Sequence, residues 1–159
     1  MSKKTKNKLK KRILIVLIAG FVLMNIVAMF HAYKFTHFTD KAVTRTADPA
    51  KLNFGEKIKT LMFGVDNPRP INLIKPKQPF EMVMLKGDPE IQQGDKKIEC
   101  WYIPHKDSKG TVIVYHGFSG HKSLMLDKLD AFFNMGYNVL MVDFMGSGDS
   151  AGNQTTIGY

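Results

Sequence analysis

The sequence predicts an α/β fold: an antiparallel strand pair followed by one βαβ unit, standing behind a single transmembrane helix. Three observations carry this. Residues 13–30, ILIVLIAGFVLMNIVAMF, run without a charge. Thr111–Tyr115 (TVIVY) and Tyr137–Phe144 (YNVLMVDF) are apolar on both faces, as parallel strands covered on both sides are. Between them Met125, Leu129, Phe132 and Phe133 fall at i, i+4, i+7 and i+8, the stripe of a helix. A length of 159 residues suits one domain, and 44% hydrophobic residues supply a core, which excludes disorder for most of the chain.

The net charge of +9 is unevenly placed. Lys3, Lys4, Lys6, Lys8, Lys10, Lys11 and Arg12 crowd the first twelve residues with no acid among them. A nucleic-acid-binding domain spreads its cations over a folded face, so nucleic acid is excluded as a partner. Residues 1–12 are expected to form a cytoplasmic basic tail and residues 13–30 an uncleaved signal anchor whose partner is the lipid bilayer. At about 1.5 Å per residue the apolar run spans roughly 27 Å, the thickness of a hydrocarbon core. It is longer than the apolar region of a cleaved signal peptide, about 7–15 residues. The basic flank keeps the amino terminus in the cytoplasm and places everything after residue 31 on the outer, periplasmic or extracellular, face.

Residues 31–79 read as a stalk. Asn53 is placed to cap a short helix through Phe63 that stops at Gly64. Phe54, Ile58, Leu61 and Met62 make one apolar stripe on that helix, expected to pack on the following domain, with the membrane surface as the alternative. Pro68, Pro70, Pro76 and Pro79 then keep the chain extended.

Residues 80–159 are the α/β region. Phe80–Gly87 and Lys96–Pro104 read as strands close enough in sequence to pair antiparallel, around a polar loop with turns at Gly87-Asp88-Pro89 and Gly94-Asp95. Cys100, the single cysteine, excludes an internal disulfide and reads as a small buried hydrophobe rather than a nucleophile. Thr111–Tyr115, a helix over Ser123–Met135 ended at Gly136, and Tyr137–Phe144 complete the βαβ unit. Asp127 and Asp130 fall on the polar face of its helix and are expected to be solvated.

Chemistry in such a sheet gathers at the carboxyl ends of the parallel strands. The first of these loops is His116-Gly117-Phe118-Ser119-Gly120, whose glycines free backbone N–H groups to line an oxyanion hole. On local grounds a mere tight turn into the helix is an equally good reading. The second runs from Asp143 to Gly152 and is glycine-rich, but no lysine follows it as a phosphate loop requires. His116 and His121 lack a helical metal-ligand spacing, so no metal and no cofactor is expected.

Together, GTVIVYHGFSGHKSLM and GYNVLMVDFMGSGDSAGNQTTIGY resemble the amino-terminal half of an α/β-hydrolase, over about residues 80–159. The similarity points to membrane-anchored serine hydrolases of the serine aminopeptidase and monoglyceride-lipase-like branch. It implies that the chain carries the amino-terminal part of an α/β-hydrolase sheet, and that the Phe118 backbone N–H, behind His116 and Gly117, is one oxyanion donor. Met145 stands where many members have Arg. The resemblance places the fifth strand, nucleophile, acid and catalytic His beyond Tyr159, so the triad is expected to lie outside this chain.

Gly148-Asp149-Ser150-Ala151-Gly152 matches G-x-S-x-G literally. Even so, Ser150 does not follow directly off a strand, no helix pattern succeeds it, and no Asp, Glu or His lies after it. The expected function is thus a fragment of a membrane-anchored serine hydrolase of ester or amide bonds, inactive as this chain stands. A small-molecule substrate is expected only in a longer form. The alternative is a non-catalytic membrane-tethered α/β module or decayed relic.

Overall fold

A computed structural model describes residues 3–39, 43–86 and 97–155. Its chain divides into two units, residues 1–35 with 46–65, and residues 36–45 with 66–159.

In the first unit a helix, α1, runs Lys3–Thr36, well past both ends of the apolar run. Thr5–Thr36 is long and apolar enough to cross a membrane, and its side chains stay exposed along the apolar run. Asn25, the polar residue of that run, donates its side-chain amide to the Phe21 carbonyl one turn back, at 2.8 Å. That internal bond lowers the cost of placing an amide in hydrocarbon. The short helix expected after Asn53 is present as α2, Phe54–Phe63. Asn53 Oδ1 accepts from the Glu56 N–H at 2.9 Å and Glu56 Oε2 from the Asn53 N–H at 2.8 Å, a reciprocal cap. Gly64 ends the helix at φ +77°. No residue of α2 is buried.

The second unit is built on a four-stranded mixed sheet in the order β1-β2-β4-β3: β1 Glu81–Lys86, β2 Lys97–Ile103, β3 Thr111–Tyr115 and β4 Asn138–Val142. β1 pairs antiparallel with β2 and β2 with β4, while β3 lies parallel to β4. The expected antiparallel pair and βαβ unit are therefore present, with ends shifted by one or two residues. The loop expected at 87–96, with its turns, lies outside the described residues. A 3-10 turn at Lys122–Met125 leads into α3, Leu126–Asn134, so the expected helix begins as the tighter form. Leu129, Met125, Leu126, Phe132 and Phe133 pack on Trp101, Ile103, Val114, Val139 and Met141. At about 1.5–3 kcal/mol per fully buried large apolar side chain, this is the main stabilising term of the unit.

Although β3 is apolar on both faces, one face is uncovered, and Ile113 and Tyr115 are 50% and 53% exposed. α3 covers only the side that carries Val114, and β3 is the edge of the described sheet. Residues 36–39 and 66–79, within the stretch read as a stalk, are bonded into the sheet unit. Phe38 N–H donates to the Asn153 carbonyl at 2.7 Å, Thr155 N–H to that of Thr36 at 2.8 Å, and Gly148 N–H to that of Pro70 at 3.0 Å. The loop after β4 has no ladder of its own, so these flanking segments satisfy its polar backbone.

Candidate functional site

The two loops singled out by the sequence lie at the carboxyl ends of the neighbouring parallel strands β3 and β4. The first is braced from behind. His116 is buried, and its Nε2 accepts the Phe144 N–H at 3.1 Å, which places the ring proton on Nδ1. Nδ1 in turn donates to the Gly117 carbonyl at 2.8 Å. With both ring nitrogens engaged, His116 positions the loop and is no proton shuttle. The 4.0 Å approach of Nε2 to Asp143 Oδ1 is then no ion pair. Gly120 N–H donates to the Gly117 carbonyl at 3.0 Å, closing the turn. At its apex Ser119 takes φ +54°, unusual for a residue with a Cβ. Its hydroxyl donates to Asn67 Oδ1 at 2.6 Å, tying the loop to the segment before β1. Gly117 and Phe118 face outward, Phe118 being 41% exposed.

The second loop is organised by a buried lysine that sequence reasoning missed. Lys122 and Asp143 are both fully buried, and the Lys122 ammonium bonds Asp143 Oδ2 and, at 2.8 Å, Glu99 Oε1. Lys122 N–H donates to Asp143 Oδ1 at 2.7 Å and the Asn72 amide to Oδ2 at 2.6 Å. The ammonium also sits 4.5 Å from the centre of the Trp101 ring, an additional cation–π attraction. Burial opposes the charged form of Asp143, but the Lys122 bonds, the Asn72 bond and the Lys122 charge outweigh it and hold the carboxyl below its ordinary range. The carboxylates of Glu99, Asp143 and Asp149 approach within 4.8 Å of one another, a spacing that suits a cation. The Lys122 ammonium bridges the first two, and the Asn72 amide also reaches Asp149 Oδ2 at 3.0 Å.

Arg69 is a second residue missed by sequence reasoning. Its guanidinium donates to the carbonyls of Gly152 at 2.7 Å, Gly148 at 3.2 Å and Ser150. A guanidinium thus reaches the glycine loop from the segment before β1. Gly148 is required at φ +53°, where a Cβ would enter the Asp143 carboxylate and the Asn72 amide.

Ser150 is fully buried, and its hydroxyl accepts the Glu99 N–H at 2.9 Å and donates to the Asp143 carbonyl at 2.8 Å. A hydroxyl spent on two backbone groups and closed to solvent cannot attack a substrate, so the literal G-x-S-x-G match is a structural turn. Ser123 Oγ and His121 Nδ1 lie 2.7 Å apart and close the turn before α3. Ser123 is buried, and burial lowers the His121 pKa. Cys100 is fully buried, and burial raises its thiol pKa, away from thiolate chemistry. Asp127 is exposed beside Lys128, as expected, whereas Asp130 is half-buried and accepts from Gln78 Nε2 at 2.8 Å.

No protein-family model matches the sequence, and no curated protein does. Solved structures do. An esterase of Pyrococcus furiosus is similar in one crystal form at 24% identity over 57% of this chain and 36% of its own, with a TM-score of 0.46. In a second form the values are 23%, 54%, 33% and 0.44. A protein of Pseudomonas aeruginosa described as a probable hydrolytic enzyme is similar at 19% identity over 54% of this chain and 27% of its own, with a TM-score of 0.37. The chain spans about a third of the length of these structures.

Proposed function

We propose that this chain is the amino-terminal part of a membrane-anchored serine hydrolase of ester or amide bonds, of the serine aminopeptidase and monoglyceride-lipase-like branch. In this reading the Phe118 N–H is one oxyanion donor. The observation that carries the proposal is the loop 116–120. It lies at the carboxyl end of a parallel strand and turns Gly117 and Phe118 outward. His116, Ser119 and Gly120 fix it from behind. Acyl transfer needs donors fixed before reaction at the place where the oxyanion develops, and a loop braced through four side-chain and backbone bonds meets that need. The nucleophile, acid and base belong to a segment that follows β4 in the longer protein. α1 anchors the enzyme, with the basic tail in the cytoplasm and the sheet on the outer face.

The test reads the nucleotide sequence past codon 159 and labels the products with a fluorophosphonate. The expected result is an in-frame strand running into G-x-S-x-G, labelling of that serine in the longer product, and no labelling of the 159-residue chain. A genuine stop codon, or an adduct mapped to Ser150, refutes the proposal. A reporter active only in the cytoplasm, fused after Tyr159, is expected to be silent, and activity there overturns the sidedness.

A further inference from the structure

The helix α2 carries five large apolar side chains that are exposed, and four of them share one side. Phe54, Ile58, Leu61 and Met62 are 81%, 45%, 63% and 40% exposed. At 3.6 residues per turn Phe54, Ile58, Leu61 and Met62 form one stripe, and the opposite side carries Glu56, Lys59 and Thr60 together with Phe63, itself 59% exposed. α2 meets α1 through a different side, at its last turn. His31 Nε2 lies 2.8 Å from the Leu61 carbonyl, and a Cβ at Gly64 would meet the His31 backbone and the Lys34 side chain at 3.4–3.5 Å. Thr60 and Gly64, the residues nearest α1, are half-buried and buried, whereas the stripe points elsewhere.

The position of this contact along α1 decides what the stripe meets. The apolar run ends at Phe30, and the residues that hold α2 are His31 and Lys34, the first turn beyond it. In a bilayer spanned by residues 13–30 that turn lies at the level of the headgroups. The end of α2 is therefore pinned at the depth where amphipathic helices bury an apolar face, about 5–10 Å into the boundary between headgroups and chains. We propose that α2 lies in this interface, with Phe54, Ile58, Leu61 and Met62 in the lipid and Lys59 toward water. The occupant of the stripe is the same bilayer that α1 crosses, so the inference rests on the anchored reading given above.

The test uses the full chain in vesicles of phosphatidylcholine and phosphatidylglycerol, with a fluorescent label on Phe54→Cys, Leu61→Cys, Lys59→Cys and Leu17→Cys in turn. Cys100 is fully buried, and the chain without an added cysteine measures its background labelling. The quenchers are lipids with a nitroxide near the headgroup end or near the terminus of the acyl chain. Labels at 54 and 61 are expected to be quenched by the shallow nitroxide roughly threefold more than the label at 59, and the label at 17 by the deep one. A quenched label at 17 with equal quenching at 54, 59 and 61 overturns the placement of α2 while the anchor stands. A label at 17 beyond the reach of both quenchers overturns the anchor and the placement of α2 with it. All four positions are exposed, so the substitutions leave the packing of the protein unchanged.

Discussion

Replacing Lys122 with methionine removes the ammonium from a fully buried carboxylate and leaves most of the side-chain volume in place. Breaking one partner out of a buried ion pair costs about 3–5 kcal/mol, because the remaining charge is left uncompensated. Asp143 keeps the Lys122 N–H at 2.7 Å and the Asn72 amide at 2.6 Å, which favours the lower end, about 3 kcal/mol. At about 4–8 °C per kcal/mol for a domain near 100 residues, the transition is expected to fall by roughly 12–24 °C. Trp101 is the single tryptophan, is 2% exposed, and lies 4.5 Å from the Lys122 ammonium. Its fluorescence during thermal or urea unfolding in detergent micelles therefore reports the sheet unit without interference from α1. The sign with pH follows from the lowered pKa of Asp143. The stabilisation from its ionised form is present above the ordinary carboxylate value of 3.8 and is lost as the pH falls through the lower native value. In Lys122→Met the native pKa of Asp143 rises, so the gap between variant and parent is widest at neutral pH and closes in acid. A cost below about 1 kcal/mol, or one that is the same at neutral and acid pH, refutes the assignment of Lys122 as the counter-charge of Asp143.

Ser150→Ala is expected to cost about 1–3 kcal/mol on the same Trp101 signal, because the part-buried Glu99 N–H loses its acceptor. The substitution is expected to leave fluorophosphonate labelling of a longer product unchanged. Gly148→Ala combines a left-handed backbone, about 1–3 kcal/mol for a residue with a Cβ, with a collision against Asp143 and Asn72. The expected result is loss of a cooperative transition, and a melt within a few degrees of the parent refutes it. Residues 40–159 expressed without α1 are expected to aggregate or to bind a hydrophobic dye strongly, because the β3 edge presents Ile113 and Tyr115. A monodisperse product with a sharp melt refutes that.

The elements legible in the sequence are those set by near neighbours. The α2 helix was readable because Asn53 and Glu56 satisfy each other's backbone N–H within one turn, and Gly64 supplies the positive φ that ends it. The range Thr111–Tyr115 is identical in sequence reading and structure, since a run apolar on both faces has little else it can be. The stripe Met125, Leu129, Phe132 and Phe133 located the core face of α3 by period alone. The same period marked the stripe of α2 as apolar, but nothing in it indicated that the stripe would remain uncovered.

Sequence alone determined the apolar span, the order of strand, helix and strand, and the two loops at the strand ends, because each depends on patterns within a few residues. Tertiary structure decided the site. Lys122 carries no local sign that it will be buried, and its partners lie 23 and 21 residues away, Glu99 on β2 and Asp143 directly after β4. Arg69 and Asn72 belong to an extended stretch with no pattern of its own, and they acquire a role only where the fold brings the glycine loop beside them. Ser150 has the residues of a nucleophile turn, and its burial against Glu99 and Asp143 excludes that role. Desolvation and long-range hydrogen bonding decide such matters, and neither is defined until the chain has closed around the group.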